Sequence, residues 1–203
     1  MACAAHFSDV LPSAYFATPV AYLACHGIIS GYSDGTFRPS NPTTRGQMVK
    51  IVVGGFALAA PPVSPPGGYS FADVPPAHPF YRYIETAAAL GIVSGYTCGS
   101  PGEPCDAYGR PYFRPGAGVT RGQLSKIVVN AAGWPLQSPP TATFSDVPPG
   151  SPFYSYIETV ACRGVVSGYA DHTFRPAAGA TRGQIAKIVY GALTRPPACA
   201  AAR

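Results

Sequence analysis

Apolar residues recur at helical spacing in two kinds of segment along the chain. In the first kind, Phe80, Ile84 and Ala87 lie three or four residues apart, as on one face of a helix. Gly91 follows, at the position beyond a helix end where a positive φ favours glycine. In the second kind, the apolar run at 48–53 is interrupted only by Lys50. The pattern predicts short helices, each with one buried face.

Both kinds of segment occur three times in the same order, so the chain is three copies of one module. Each copy opens with Phe-x-Asp-Val, passes through Ser-Gly-Tyr and Phe-Arg-Pro, and closes with Thr-Arg-Gly-Gln. The opening motif lies at 7–10, 71–74 and 144–147, and the closing motif at 44–47, 120–123 and 181–184. A regular internal repeat decides the architecture before any local argument does. Each unit is predicted to be helix–loop–helix with a short extended piece, too small to bury its apolar face alone.

The closing motif predicts a sharp helix start. A threonine hydroxyl can accept the backbone N–H of the third helical residue, while a glutamine at that residue reaches back to the threonine. The pairs with this spacing are Thr44 and Gln47, Thr120 and Gln123, and Thr181 and Gln184. Each capping box places one arginine in the first turn of a second helix.

The copies differ in the length of one loop. Copies one and three have the same spacing, whereas copy two carries an insertion with two cysteines and several glycines and prolines, which is typical of a surface loop. The predicted organisation is repeat one at 1–60, a proline-rich linker at 61–68, repeat two at 69–133 with the loop insertion at 97–112, a second proline-rich linker at 134–140, repeat three at 141–195 and a tail at 196–203.

Composition narrows the classes of partner. Only 11% of the 203 residues are charged. The net charge is +5, but the basic residues do not form a continuous run. Binding to nucleic acid or to a membrane surface therefore has little support. No apolar stretch approaches the roughly 18–20 residues that a membrane span requires. The length suits one closed set of repeats.

The six cysteines favour export from the cytoplasm, because an even number is typical of a disulfide framework. Proximity within the insertion selects the first pair. Cys3 precedes the opening motif of repeat one and Cys25 ends its first helix, which suggests the second pair and leaves the third. The predicted pairs are Cys98 with Cys105, Cys3 with Cys25, and Cys162 with Cys199. Metal binding is the alternative, but no Cys-x-x-Cys spacing occurs and the four histidines are scattered, so no metal site and no cofactor are predicted.

The three motifs together resemble the S-layer homology (SLH) module, and the resemblance covers about 7 to 193. It implies a mainly α fold, in which three helix–loop–helix repeats form a pseudo-threefold SLH trimer around a central helical bundle with short extended segments. It also implies grooves between the modules that bind cell-wall polysaccharide and tether the protein to the bacterial envelope.

The resemblance assigns candidate ligand-binding residues. It implies that the arginine of the closing motif meets an acidic group of the polymer, often a pyruvate ketal, and that the loop before Phe-Arg-Pro borders the groove. The implied residues are Arg45, Arg121 and Arg182, with Gly31, Tyr32 and Asp34 from copy one and Gly168, Tyr169 and Asp171 from copy three. In this chain Gly and Gln replace the usual Ala and Glu after the arginine. Copy two lacks the Asp-Gly turn, so its groove is expected to be altered or blocked.

Residue chemistry at each second-helix start also suits an anionic ligand. A helix start presents free N–H groups and a partial positive charge, and arginine can hold a carboxylate with two parallel hydrogen bonds. A lysine five positions on adds charge, and a glycine next to the arginine lets a ligand approach the backbone. These residues are Lys50, Lys126 and Lys187, and Gly46, Gly122 and Gly183.

Other interpretations of the charged residues remain open. The arginines could pair with Asp9, Asp73 or Asp146, although these aspartates are expected to cap helices. Glu85 and Glu158 match in position and could suggest a hydrolytic pair, but surface or inter-repeat pairing is favoured. No nucleophile triad or phosphate loop occurs, so no enzyme is predicted.

Two functions compete on the remaining observations. The first is a secreted, non-catalytic anchor on the bacterial cell surface that binds an acidic wall polysaccharide. Because the repeats fill almost the whole chain, such an anchor would fit a piece of a longer protein. The second is a structural subunit of an extracellular S-layer or filament that self-associates, since 47% of the residues are hydrophobic and few are charged.

Overall fold

The computed structural model describes residues 5–59, 65–194 and 199. In this part of the chain six α-helices occur, which are α1 (Ala17–Cys25), α2 (Arg45–Gly55), α3 (Tyr81–Ala89), α4 (Arg121–Ala131), α5 (Tyr154–Cys162) and α6 (Arg182–Leu193). Each repeat contributes two of them, and the described residues add isolated β-bridges but no strand. The predicted mainly α fold is confirmed. None of these helices has the length and apolar character needed to cross a membrane.

The helices pair between repeats. Helix α3 packs against α2, α5 against α4, and α1 against α6. Each first helix therefore lies on the second helix of the preceding repeat, and the contact between α1 and α6 closes the ring. This arrangement gives every unit a neighbour against which it buries its apolar face, as its small size requires.

Helices α2, α4 and α6 also contact one another and form the central bundle. Equivalent positions of the three repeats meet there, and their side chains are fully buried. They are Met48, Leu124 and Ile185, followed one turn later by Val52, Val128 and Val189. Burial of one such side chain contributes about 1.5–3 kcal/mol. The predicted pseudo-threefold bundle is therefore confirmed.

A triangle of backbone hydrogen bonds joins the repeats just before the central helices. The N–H of Val119 donates to the carbonyl of Thr43 (3.0 Å), that of Ala180 to Val119 (2.8 Å), and that of Thr43 to Ala180 (3.2 Å). All three residues are buried. The Thr43 hydroxyl has no hydrogen-bond partner among the described residues, whereas Val119 and Ala180 carry no polar group at this place.

All three predicted capping boxes are confirmed. In each, the threonine side chain accepts from the glutamine N–H and the glutamine side chain accepts from the threonine N–H. At Thr44 and Gln47 these two bonds measure 3.4 and 3.2 Å. The box fixes where each central helix begins, and it therefore fixes where the arginine that follows the threonine lies.

The aspartates of Phe-x-Asp-Val do not cap helices, which corrects the sequence-based expectation. Asp9 accepts the backbone N–H groups of Phe37 and Arg38, both at 2.7 Å, while α1 has no side-chain N-cap. Arg38 has a φ of 58°, in the left-handed region that is costly for a side chain with a Cβ. Asp9 offsets that strain by holding both N–H groups. Asp73 and Asp146 make the same two bonds in the other repeats.

Glu85 and Glu158 are buried inside their own repeats, so their expected placement at the surface or between repeats is wrong. Glu85 accepts hydrogen bonds from the backbone N–H (2.9 Å) and hydroxyl (2.7 Å) of Ser70. Glu158 accepts the same pair of bonds from Thr143, at 2.8 and 2.6 Å. Each carboxylate holds the chain segment that precedes Phe-x-Asp-Val against the first helix.

Two predicted disulfides are confirmed, Cys98–Cys105 and Cys162–Cys199. Cys25 is also disulfide-bonded. Its predicted partner, Cys3, lies outside the described residues. The first bridge closes the loop inserted in repeat two, so that loop has a fixed shape beside the groove described below.

Candidate ligand grooves between the repeats

The arginine at each central helix start reaches into the next repeat. Arg45 Nε donates to the carbonyl oxygen of Phe113 (2.9 Å), and Arg121 Nε donates to that of Phe174 (2.8 Å). Arg182 closes the ring, because its Nε donates to Phe37 of repeat one (2.8 Å). The pseudo-threefold relation makes these three bonds equivalent, from Arg45 to Phe113, from Arg121 to Phe174 and from Arg182 to Phe37. Arg45 and Arg121 are buried, with only 5% and 6% of their surface exposed.

None of these three guanidinium groups forms an ion pair within the described residues. The ion pairs found there involve other arginines, and the carboxylates of Asp9, Asp73 and Asp146 are engaged with backbone N–H groups. Burial lowers the pKa of the Arg121 guanidinium from its ordinary value, while the neighbouring Tyr169 raises it. Arginine nevertheless stays protonated at neutral pH. Within the described part of the chain, Arg45 and Arg121 are therefore buried positive charges without a counter-anion.

A tyrosine lies between two guanidinium groups in every repeat. The Tyr169 ring centroid is 4.9 Å from Cζ of Arg121 and 4.1 Å from Cζ of Arg175. Repeat one places Tyr32 between Arg182 (5.2 Å) and Arg38 (3.9 Å). Cations over an aromatic face attract it through the ring quadrupole.

Repeat two has the same arrangement, with the Tyr96 ring 5.1 Å from Arg45 and 4.0 Å from Arg114. The outer arginines, Arg38, Arg114 and Arg175, were not predicted as site residues. The sequence feature that could have identified them is the Phe-Arg-Pro motif, which occurs in all three copies. The motif therefore contributes its arginine to the groove as well as its buried phenylalanine.

Carboxylates of the loops hold these outer arginines. Asp34 pairs with Arg38 at 2.8 Å, and Asp171 pairs with Arg175 at 2.9 Å. Hydrogen bonds from Thr173 and then from Arg175 lower the pKa of Asp171 to about 2. Asp34 has a pKa of about 2 for the same reasons, with Thr36 as the first cause.

Repeat two obtains its carboxylate from the inserted loop. Glu103 pairs with Arg114 through two bonds of 2.7 Å, which takes the place of the missing Asp-Gly turn. Tyr96 also receives a hydrogen bond from Gln123 Nε2 (3.1 Å), as Tyr169 does from Gln184 (3.2 Å). The insertion therefore does not block this groove, but it alters it, because Glu103 of the inserted loop makes the contact that Asp34 and Asp171 make in the other repeats.

Two cavities open beside the buried arginines. The Arg121 cavity, of about 230 Å³, is lined by Tyr15, Arg121, Tyr169, Gln184 and Lys187, with residues 165–168 and Ile188. The Arg45 cavity, of about 180 Å³, is lined by Arg45, Tyr96, Gln123, Lys126 and Phe153, with residues 92–95 and Ile127. Each combines the arginine of one repeat with the loop, tyrosine and lysine of the next. Among the described residues no carboxylate lines either cavity.

Comparison with protein families agrees with this arrangement. The family model described as the S-layer homology domain matches residues 6–49, 70–125 and 143–186. The chain belongs to the S-layer homology domain family. The three matched segments coincide with the three units that the ring of helices and the repeated motifs define.

Curated relatives of this SLH chain include a cellulosome-anchoring protein of Acetivibrio thermocellus, 24% identical over 172 residues, and cell surface glycoprotein 1 of the same organism, 26% identical over 183 residues. An endoglucanase of Bacillus sp. (strain KSM-635) is 27% identical over 188 residues. The alignments cover 83%, 83% and 90% of this chain but only 36%, 7% and 18% of those relatives. The likeness therefore concerns a part of each relative that corresponds to the SLH repeats.

The glycine after each SLH arginine faces a phenylalanine ring. A Cβ on Gly46 would lie 2.4 Å from the Phe80 ring, and one on Gly122 would lie 2.6 Å from the Phe153 ring. Gly183 meets Phe16 at 2.9 Å in the same way. Such distances are shorter than real Cβ contacts, so only glycine fits. The glycines were expected to let a ligand approach the backbone, and this expectation is corrected. The space beside each glycine holds an aromatic ring of the following repeat.

The space beside each loop glycine is also filled by a phenylalanine ring. A Cβ on Gly31 would lie 2.4 Å from the Phe7 ring, and one on Gly168 would lie 2.4 Å from the Phe144 ring. Gly168 additionally has a φ of +67°, which disfavours other residues. Both glycines therefore shape the loop that carries Tyr32 or Tyr169.

The helix starts do not offer free N–H groups, contrary to expectation. The N–H of Arg45 donates to the carbonyl of Ala117 (2.8 Å), and that of Gly46 donates to Pro115 (2.9 Å). The next N–H belongs to Gln47 and donates to the capping threonine. Equivalent bonds occur at the other two starts. The positive charge available to a ligand therefore comes from the arginine and lysine side chains.

Proposed function

We propose that this chain is a non-catalytic anchoring module that attaches a protein to the bacterial cell surface by binding an acidic cell-wall polysaccharide in the grooves between its SLH repeats. The observation that carries the proposal is the buried, unpaired guanidinium of Arg121 or Arg45 at the edge of an open cavity. The anchoring part of the proposal is supported by family membership and by the relative that is named a cellulosome-anchoring protein.

Charge favours an anionic ligand. A buried cation without a counter-ion is costly unless hydrogen bonds or an opposite charge compensate it. Among the described contacts Arg121 donates only through Nε, to Phe174, which leaves its two terminal nitrogens for a ligand. Lys187 lines the same cavity. A carboxylate on the polymer would receive a two-pronged contact from the arginine and a further bond from the lysine.

The other lining groups suit a sugar. Tyr15 presents a flat apolar face with a polar edge, which matches the alternation of C–H and O–H groups on a sugar ring, and Tyr169 adds its phenol edge to the same lining. Gln184 holds the Tyr169 hydroxyl, so the ring is fixed before a ligand arrives. Such preorganisation lowers the entropic cost of binding.

Sedimentation with purified, protein-free cell walls of the producing bacterium tests this proposal. The variants Lys126→Gln and Lys187→Gln remove one cationic group from each cavity without disturbing the buried arginines. We expect the double variant to lose at least about tenfold in affinity for the wall, since charge-assisted bonds carry that much free energy. Arg82→Gln, an exposed change on α3 that removes one positive charge as each single lysine variant does, is the control for those single variants and should bind like the parent.

The arginine itself is tested by Arg121→Lys, which keeps the charge but not the two-pronged geometry. It should weaken wall binding while leaving the circular dichroism spectrum unchanged. Equal sedimentation of the parent, the double lysine variant and the Arg82 control would contradict a role for the cavities in wall binding.

Self-assembly into an extracellular layer or filament is the second candidate. It is favoured by large exposed apolar side chains, of which Leu11, Tyr15, Tyr108 and Leu136 are 49–67% exposed. Sedimentation velocity at rising protein concentration separates the candidates. A chain that stays monomeric up to high concentration contradicts self-assembly and leaves the anchor.

A further inference from the structure

A second open cavity adjoins the Arg45 cavity. This Trp134 cavity, of about 530 Å³, shares Ile92, Val93, Ser94 and Lys126 with it. Because Lys126 belongs to both linings, a ligand whose acidic group lies between Arg45 and Lys126 would extend directly into the second space. The loop at 92–94 is the common border of the two cavities.

The Trp134 cavity carries two aromatic rings. Trp134 and Tyr156 are both half-buried and both line it. The Arg163 guanidinium carbon lies 4.5 Å from the Trp134 ring centroid, and the backbone N–H of Trp134 donates to the Val129 carbonyl at 3.2 Å. The backbone bond places Trp134 just after the end of α4, and the Arg163 contact orients its indole. A fixed aromatic plane beside open space is a surface on which the C–H face of a sugar ring can pack.

Polar groups complete the lining. Asn130 donates from Nδ2 to the carbonyl of Ile92 (3.3 Å), and its amide oxygen has no donor among the described residues. Lys126 brings an ammonium group with three donors. An acceptor and a donor near an aromatic plane match the hydroxyl groups of a neutral sugar.

We propose that repeat two holds an extension subsite in the Trp134 cavity, which binds the sugar residues that adjoin the acidic unit of the wall polysaccharide. This inference rests on the proposed function. It applies to the groove of repeat two, because the residue equivalent to Trp134 in repeat one is Leu58, which lacks an aromatic ring. The groove of repeat two therefore binds a longer stretch of the polymer than the acidic unit alone.

The position of Trp134 provides a direct measurement, because it is the only tryptophan of the chain. The probe is a size series of two to six sugar units, made by partial acid hydrolysis of the purified wall polysaccharide of the producing bacterium. We expect the parent to show a rise in affinity with oligosaccharide length, accompanied by a change in tryptophan emission.

Trp134→Ala should abolish the rise in affinity with length, with a loss of about tenfold for the longest oligosaccharide, as is common for a buried aromatic contact. Trp134→Phe keeps an aromatic face and should retain part of the rise, which guards against a folding defect in the alanine variant. Leu136→Ala, nearby but not in the lining, should behave like the parent.

Three outcomes decide between the two proposals. If Trp134→Ala binds every length as the parent does, or if emission never changes while binding proceeds, the extension subsite is wrong and the anchor stands. If Arg121→Lys and Lys187→Gln, which lie outside the Trp134 cavity, lower affinity equally for all lengths while Trp134→Ala removes only the length dependence, both are supported. If the parent binds neither walls nor oligosaccharides, both fall.

Discussion

Arg121 belongs to the second repeat, yet its Nε donates a hydrogen bond to the carbonyl oxygen of Phe174 in the third, at 2.8 Å. The same side chain lines a cavity whose tyrosine and lysine also come from the third repeat. One residue thus joins two units and faces the space between them. Its contribution to the fold and its proposed role in ligand binding can be separated by substitution.

Arg121→Met should leave the free energy of unfolding within about 1 kcal/mol of the parent, since replacing a buried, unpaired cation by an apolar group relieves a desolvation penalty that offsets the unsatisfied Phe174 carbonyl. Wall binding through this groove should be lost. Urea unfolding and co-sedimentation give the two readouts. A loss of more than about 3 kcal/mol would mean that the arginine is chiefly structural.

Thr43→Val should stabilise the protein by about 1 kcal/mol, because the buried Thr43 hydroxyl has no partner among residues 5–59, 65–194 and 199, and valine has nearly the same shape. The reciprocal change, Val119→Thr, places a hydroxyl at the equivalent position and should destabilise by a similar amount. Thermal and urea unfolding of both variants measure the effect. Destabilisation by Thr43→Val would show that the hydroxyl is satisfied in solution.

Gly122→Ala should destabilise by about 1–3 kcal/mol, as is common for overpacking, because its Cβ would meet the Phe153 ring at 2.6 Å. Gly116→Ala, in the same repeat with nothing within 4 Å, is the matched control and should be nearly neutral. Phe153→Leu should reduce the cost of Gly122→Ala in a double-mutant cycle. Strict additivity of the two changes would contradict the contact.

The ion pair of Asp171 with Arg175 should persist from pH 7 down to pH 4. Hydrogen bonds from Thr173 and Arg175 depress the folded-state pKa of Asp171 to about 2, below its ordinary 3.8. A depressed carboxyl pKa gives stability that is complete above the unfolded-state pKa and is lost as pH falls toward the folded value. The loss is therefore expected between about pH 4 and pH 2.

Carboxyl NMR titration of Asp171 and of Asp34 measures this directly, with midpoints expected near 2. Asp171→Asn should abolish the titration step of Asp171 and leave the titration of Asp34 unchanged. A midpoint near 3.8 for either carboxyl would mean that its bonds to the threonine and arginine are not maintained in solution.

Local features of the fold could be predicted from the sequence because their causes are local. The capping boxes need only threonine and glutamine at fixed spacing, and the Cys98–Cys105 bridge needs only a short loop. The number of helices and the closed bundle followed from the repeats and from the family resemblance.

Contacts between repeats could not be predicted in the same way. Periodicity shows that a helix has an apolar face but does not say which copy covers it, so the packing of α3 on α2 was not foreseen. Gly122 illustrates the same limit, since glycine suits either a ligand or a ring, and only the position of Phe153 decides between them. Asp9 was expected to cap a nearby helix, but its partners are 28 and 29 residues away.

The contact between α1 and α6 has a consequence for how such a module can change in size. A linear array grows by adding a unit at either end, but here both ends are already engaged with each other. A fourth copy would have to break an existing interface before it could form its own. The count of three is thus set by geometric closure, and stronger attachment would require a second complete ring rather than a longer one.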